Sequence, residues 1–246
     1  MFPATTFPPS PAFTDFDLLL LPPYLPPMQS LAAAAIVFTG GFIIMVLEIV
    51  GTRFLAKYFG TSYYVWVNQI GLVMVALAFG YYWGGILADK WRRLGKLAWL
   101  LVPAGIFTFY IPQFADRLIN LVSTPVDQPL TPFRQVLDPV LGSSVVFLLP
   151  CIILAMLSPY VTQICARNLA QVGRASGLIF AASTVGSIVG VFVSGYFLLQ
   201  TATLTIIFYV TGSAILLLAA ACVALNSWLR PPEHSTTPSF PYPYAD

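Results

Sequence analysis

The sequence predicts an all-α integral membrane protein, a six-helix transmembrane bundle. Three observations lead there. Hydrophobic residues make up 58% and charged residues 8% of the 246-residue chain, whereas in soluble domains about a quarter of residues are charged. The apolar residues gather into six stretches, most of them near the ~20 residues that cross hydrocarbon as a helix. The lysines and arginines fall between or beside those stretches, where charge can stay in water.

Residues 1–28 are rich in Pro and Phe and carry no Lys or Arg. The positive start of a secretory leader is missing, so a Pro-rich tail is expected rather than a cleaved signal. The run Leu18 to Leu21 is too short to span. The first span covers about 31–51, the second 65–88, and the third 97–111, where Pro112 stops or kinks it. Between the third and fourth spans stand prolines at 125, 129, 132 and 139. Early in that segment Phe114, Leu118, Leu121 and Val122 share one helical face, opposite Asp116, Arg117 and Asn120. That pattern predicts a helix over 113–122 lying flat at the interface. The fourth span, 141–164, contains Pro150 and Pro159, which neighbouring helices can accommodate. The fifth runs over 177–199, the sixth over 204–225, and 230–246 reads as a second Pro-rich tail.

Orientation follows from the block Asp89-Lys90-Trp91-Arg92-Arg93 with Lys96, the most basic part of the chain. By the positive-inside rule it is cytoplasmic, which puts both termini in the cytoplasm and is compatible with a bacterial inner membrane. Lys90, Arg92, Arg93, Lys96, Arg167, Arg174 and Arg230 then lie inside, and Arg53, Lys57, Arg117 and Arg134 outside, seven against four of the eleven Lys and Arg.

Several function classes are disfavoured. The net charge of +2 is small and the basic residues form no stripe with interleaved aromatics, so nucleic acid is not an expected partner. Cys151, Cys165 and Cys222 lack paired spacing, which predicts neither a disulfide framework nor a zinc site. The only histidine is His234, so no span offers an imidazole to a haem. No metal and no cofactor is expected.

Two stripes of small residues predict close helix packing. Ala76, Gly80, Gly84 and Ala88 recur every four residues of the second span, and Gly186 with Gly190 does the same in the fifth, extended by Ser183, Ser187 and Ser194. Packing within the chain accounts for both, and a homo-oligomer remains open. Glu48 is the only acidic residue well inside an apolar span, by default a candidate site. It lies at nearly the depth of Asn68 and Gln69, and Arg53 just beyond can reach back to it. The expected reading is a structural pin in which Arg53, Asn68 or Gln69 holds Glu48; the alternative is a proton or cation site.

The segment Gly85-Ile86-Leu87-Ala88-Asp89-Lys90-Trp91-Arg92-Arg93 resembles the signature loop between helices two and three of the major facilitator superfamily, with Arg92 where that pattern usually has Gly. The resemblance implies that Asp89 caps the start of the neighbouring helix while the basic residues face the cytoplasm, and that the six spans correspond to one half of that fold. A broader resemblance, over about residues 40–200, is to the membrane half of bacterial fused spermidine-synthase-like proteins. It is carried by Leu47 through Ser62 with Val65 and Trp66, by Ser158-Pro159, by Gly173-Arg174-Ala175-Ser176-Gly177, and by Ser183 through Gly190. In that family the membrane half is often joined to an aminopropyltransferase-like domain. Here no glycine-rich turn follows a strand pattern after Arg230, so that catalysis is not expected. The spans also lack a nucleophile, a metal cluster or paired carboxylates.

These readings leave a non-catalytic subunit, anchor or scaffold for a separate enzyme or larger membrane complex, with the lipid bilayer and other protein subunits as partners. The alternative is a transporter of polyamines or other small cations, working as a dimer of six-helix units.

Overall fold

In lipid a chain satisfies its backbone polar groups only by forming helices or a closed barrel, and this chain forms helices. The computed structural model describes residues 27–91, 93–123, 131–165 and 172–226. The expectations for Arg92, Arg167, Arg230, the prolines at 125 and 129, and nearly all of both tails lie outside the described residues. Six helices are long and apolar enough to cross a membrane: α1 (Met28–Phe59), α2 (Tyr63–Trp91), α3 (Leu94–Val122), α4 (Phe133–Cys165), α5 (Gly173–Thr201) and α6 (Leu204–Leu225). Among the described residues there is no strand. The protein is an all-α, multi-pass membrane protein.

The helix ends have local causes. α1 stops at Gly60, whose φ of 76° suits glycine and whose N–H returns to the Ala56 carbonyl at 3.0 Å. Thr131 and Thr203 each accept a backbone N–H, from Arg134 and Ile206, at 3.4 Å, capping the starts of α4 and α6. The helices outrun the apolar spans because backbone hydrogen bonding continues past the hydrocarbon; α1 takes in Met28, at the edge of the expected tail.

α3 departs from expectation. Pro103 and Pro112 both lie inside one continuous helix that runs to Val122, so 113–122 is no separate interfacial helix. Its buried side is Ala115 and Ile119, packed in the protein core, while Leu121, expected on the membrane-facing stripe, is 80% exposed. The protein thus covers this stretch on its Ala115 and Ile119 side and leaves Leu121 outward, and neighbouring helices let the helix pass its proline. α4 carries the opposite kind of irregularity. A π-helical turn, Ser144–Leu148, precedes Pro150, whose ring would crowd the carbonyl four residues back in a regular helix. Ser143 and Ser144 donate their hydroxyls to the carbonyls of Pro139 and Val140, each at 2.6 Å.

Three helix pairs approach at backbone distance. In α1/α5, Gly186 lies against the backbone of Phe38, and a β-carbon on Gly190 would sit 2.6 Å from the Phe42 carbonyl oxygen. In α2/α4, a β-carbon on Gly80 would lie 2.6 Å from the Ile152 carbonyl and one on Gly84 2.8 Å from the Met156 backbone; Ala76 and Ala88 are buried on the same face. In α3/α6, one on Gly212 would lie 2.6 Å from the Phe109 amide, and one on Gly105 2.9 Å from Leu216. The registers rise together in the first two pairs and oppose in the third, so α1/α5 and α2/α4 are parallel and α3/α6 is antiparallel. Exchanging α1–α3 for α4–α6 reproduces the same pairs. Because α1 and α4 cross in opposite senses, this is the pairing pattern of an inverted repeat.

α1 and α4 lie at the centre, with 56% and 61% of their most apolar stretch buried; α2 and α5 flank them with 28% and 17%. Cys151, Cys165 and Cys222 are buried in α4 and α6 and form no disulfide among the described residues.

The glycine contacts predict a sharp contrast. Gly84→Leu and Gly186→Leu each drive a side chain into a neighbouring backbone and should cost at least about 1–3 kcal/mol, or abolish a folded yield. Gly71→Leu and Gly177→Leu, where a β-carbon meets nothing within 4 Å, should not. Equal melting temperatures for all four in detergent would refute this assignment of the packing faces.

Candidate functional site

The polar residues singled out in α1 and α2 do not form one constellation. Glu48 is partly buried and makes no ion pair or side-chain hydrogen bond among the described residues. Arg53 is exposed and does not reach it. The ion pairs among the described residues are Lys57 with Asp116 and Arg134 with Asp138, both at 3.4 Å. The first joins α1 to α3, where the Tyr58 hydroxyl also donates to Asp116. Asn68 donates to the Val136 carbonyl at 3.0 Å, tying α2 to the start of α4. Gln69 is fully buried against Gly51, and neither polar atom of its amide has a hydrogen-bond partner among the described residues. Equal depth in the membrane therefore did not produce convergence: residues at one level of two helices meet only if they also share the facing side. The pin reading of Glu48 is set aside on this geometry.

The basic end of α2 also differs from what its motif implies. Asp89 lies in the last turn of α2 and accepts a hydrogen bond from Gln163 Nε2 at 2.8 Å, in the last turn of α4. The start of α3 is capped by Arg93 without a side-chain hydrogen bond. Asp89 thus links α2 to α4, its parallel partner, and does not cap α3. The Arg93 carbonyl accepts from the buried Tyr160 hydroxyl at 2.8 Å, a second tie to α4. Lys90 and Arg93 are exposed.

What the geometry does bring together is a cavity of about 80 Å³ between α1, α2, α4 and α5. Its polar lining is Tyr81, Ser158, Ser183, Thr184 and Ser187, and Gly41 of α1 lies closely against Ser183 and Ser187. Ser158 donates to Ser183 Oγ at 3.3 Å, Ser187 to the Ser183 carbonyl at 3.0 Å, and Thr184 to the Phe180 carbonyl at 2.8 Å. These residues line a space large enough for water. Tyr81 stands edge-on to Phe180, ring centroids 6.0 Å apart, where α2 approaches α5. Glu48 lies one helical turn beyond Ile44, which lines the cavity. The cavity sits between the two halves of the inverted repeat, α1 and α2 on one side and α4 and α5 on the other. Sequence reading singled out Ser183, Ser187 and the Ser158-Pro159 pair but not their meeting, and it missed Tyr81; the signal is a hydroxyl on each of several spans at one depth.

Among the described residues no group of His, Cys, Asp and Glu has the geometry of a metal site. Comparison with protein-family models, with curated proteins and with solved structures gives no match.

The unbonded amide of Gln69 predicts its own substitution. Gln69→Met keeps the shape and removes two buried polar atoms that lack partners, so thermal stability should hold or rise by about 1–3 kcal/mol. Arg53→Ala should change it by less than about 0.5 kcal/mol. A marked loss in the Met variant would show that the amide is bonded in the folded protein.

Proposed function

We propose that this chain is a non-catalytic membrane subunit that forms one six-helix half of a transport assembly for polyamines or other small cations. Its second half is another six-helix unit, in the simplest case a second copy, set against the side where α2 and α5 lie. The observation that carries the reading is the hydroxyl-lined cavity at the interface of the inverted repeat, which is where transporters built from such repeats place their substrate sites. Glu48 supports it as a carboxylate without a cation partner one turn away, since an intramembrane acid is costly and is kept for a pathway or a ligand. The low burial of α2 and α5 agrees with a partner at that side.

A second reading, an anchor for a separate enzyme, is favoured by the sparseness of ionisable groups in the middle of the spans, which gives no continuous relay across the bundle. The resemblances to half of a major facilitator fold and to the membrane half of fused spermidine-synthase-like proteins are compatible with either. The orientation proposed for both places the Lys90 end of α2 and both termini in the cytoplasm of a bacterial inner membrane.

Orientation is tested by thiol labelling in intact cells and inverted vesicles. A Cys at Lys90 should react only from the cytoplasmic side and one at Thr131 only from the other; the reverse pattern would overturn the topology.

Transport is tested with reconstituted vesicles and a radiolabelled polyamine. The parent should take it up, and Glu48→Gln should lose at least tenfold while keeping its melting temperature, because the charge itself binds the cation. No uptake by the parent, together with co-purification of an enzyme in mild detergent, would favour the anchor.

A further inference from the structure

A second open groove, about 460 Å³, lies where α3 begins and α6 ends, two helices that do not line the hydroxyl-lined cavity. Its upper wall carries Arg93 and Lys96, and below them come Trp99, Val102 and Val223. The floor is fixed: the Gly95 N–H donates to Asn226 Oδ1 at 2.9 Å, so the last turn of α6 is held against the first turn of α3. Gly95 has no side chain to part them, since a β-carbon there would already be 3.1 Å from the Asn226 side chain.

The charge in this groove is not answered within the described residues. Neither Arg93 nor Lys96 forms an ion pair there; Lys96 lies over the Trp91 ring, 5.7 Å from its centroid, and the nearby carboxylate, Asp89, is held by Gln163. Trp99 is 79% exposed, placed one turn below Lys96 as an interfacial anchor is placed. The groove therefore changes character along its length, cationic at the end of the helices and apolar one to two turns into the span.

We propose that this groove binds an anionic phospholipid, with the phosphate between Arg93 and Lys96, the glycerol region beside Trp99, and an acyl chain along Val102 and Val223. Charge complementarity selects an anionic headgroup over a zwitterionic one, and the apolar lower half selects a lipid over a free phosphate ion. The consequence is a lipid-dependent clamp on α3 and α6, whose ends meet at the groove. Each basic residue near a membrane surface contributes about fivefold to such binding, so the pair contributes about 25-fold.

The test uses the full chain, delipidated in a non-ionic detergent and titrated with phosphatidylglycerol, phosphatidylcholine or inorganic phosphate, with bound lipid counted by native mass spectrometry. Phosphatidylglycerol should bind well over tenfold more tightly than phosphatidylcholine and weaken as salt is raised. The double variant Arg93→Gln, Lys96→Gln should lose about 25-fold, with its melting temperature in lipid-free detergent unchanged. Should that variant fold poorly, the salt dependence of the parent serves in its place. Equal affinity for the two lipids, an unaffected double variant in a folded state, or displacement of the lipid by inorganic phosphate at equal concentration would each overturn the proposal, the last by making the groove a phosphate site.

Discussion

In a bilayer no hydrophobic drive brings one apolar helix to another, because lipid tails are as apolar as leucine; what remains is contact, and contact strengthens as backbones close in. This bundle depends on that closeness at three crossings. Gly41, Gly186 and Gly190 join α1 to α5, Gly80 and Gly84 join α2 to α4, and Gly105 and Gly212 join α3 to α6. At each pair glycines let the neighbouring helix in closely, and at Gly41 the close neighbours are the Ser183 and Ser187 groups themselves. The hydroxyl-lined cavity is bounded by both parallel pairs. Glu48 has no cation beside it among the described residues, since Arg53 lies on the exposed side of its helix.

Much of this was legible in the sequence where a single helix carries the signal. The stripe Ala76, Gly80, Gly84 and Ala88 has a four-residue period that any helix turns into one face, and those residues line the buried side of α2. The six apolar stretches needed only length and composition. α3 was less legible because proline is read as punctuation from sequence, whereas inside a bundle the neighbours of Pro112 support the helix past it. The amphipathic pattern of 113–122 is real, but the side that protein covers is that of Ala115 and Ile119, with Leu121 exposed. The π-helical turns of α4 at Ser144–Leu148 and of α5 at Ser194–Leu198 show only in the folded backbone.

The site was legible in its parts and not in its assembly. Glu48 stands out because acid is rare in a span. Its partners were inferred from depth alone, and depth leaves the rotation of each helix free. The parallel pairing of α1 with α5 and of α2 with α4 links helices that are not consecutive in the chain, so Tyr81, Ser158 and Ser183 meet through relations no local spacing encodes. The same holds between α3 and α6, where Gly95 and Asn226 are far apart in sequence and bonded in space.

The burial of the three thiols has a use of its own. Cys151 and Cys165 lie in the central, most interrupted helix and Cys222 in the α3/α6 pair, all without access to solvent. A soluble alkylating reagent can meet them only when helices part, so their modification rates in the untouched protein are clocks for two separate opening motions. If the bundle breathes along its seams, Cys222 and the pair in α4 will keep different time, and a ligand that bridges one seam will slow one clock and leave the other running.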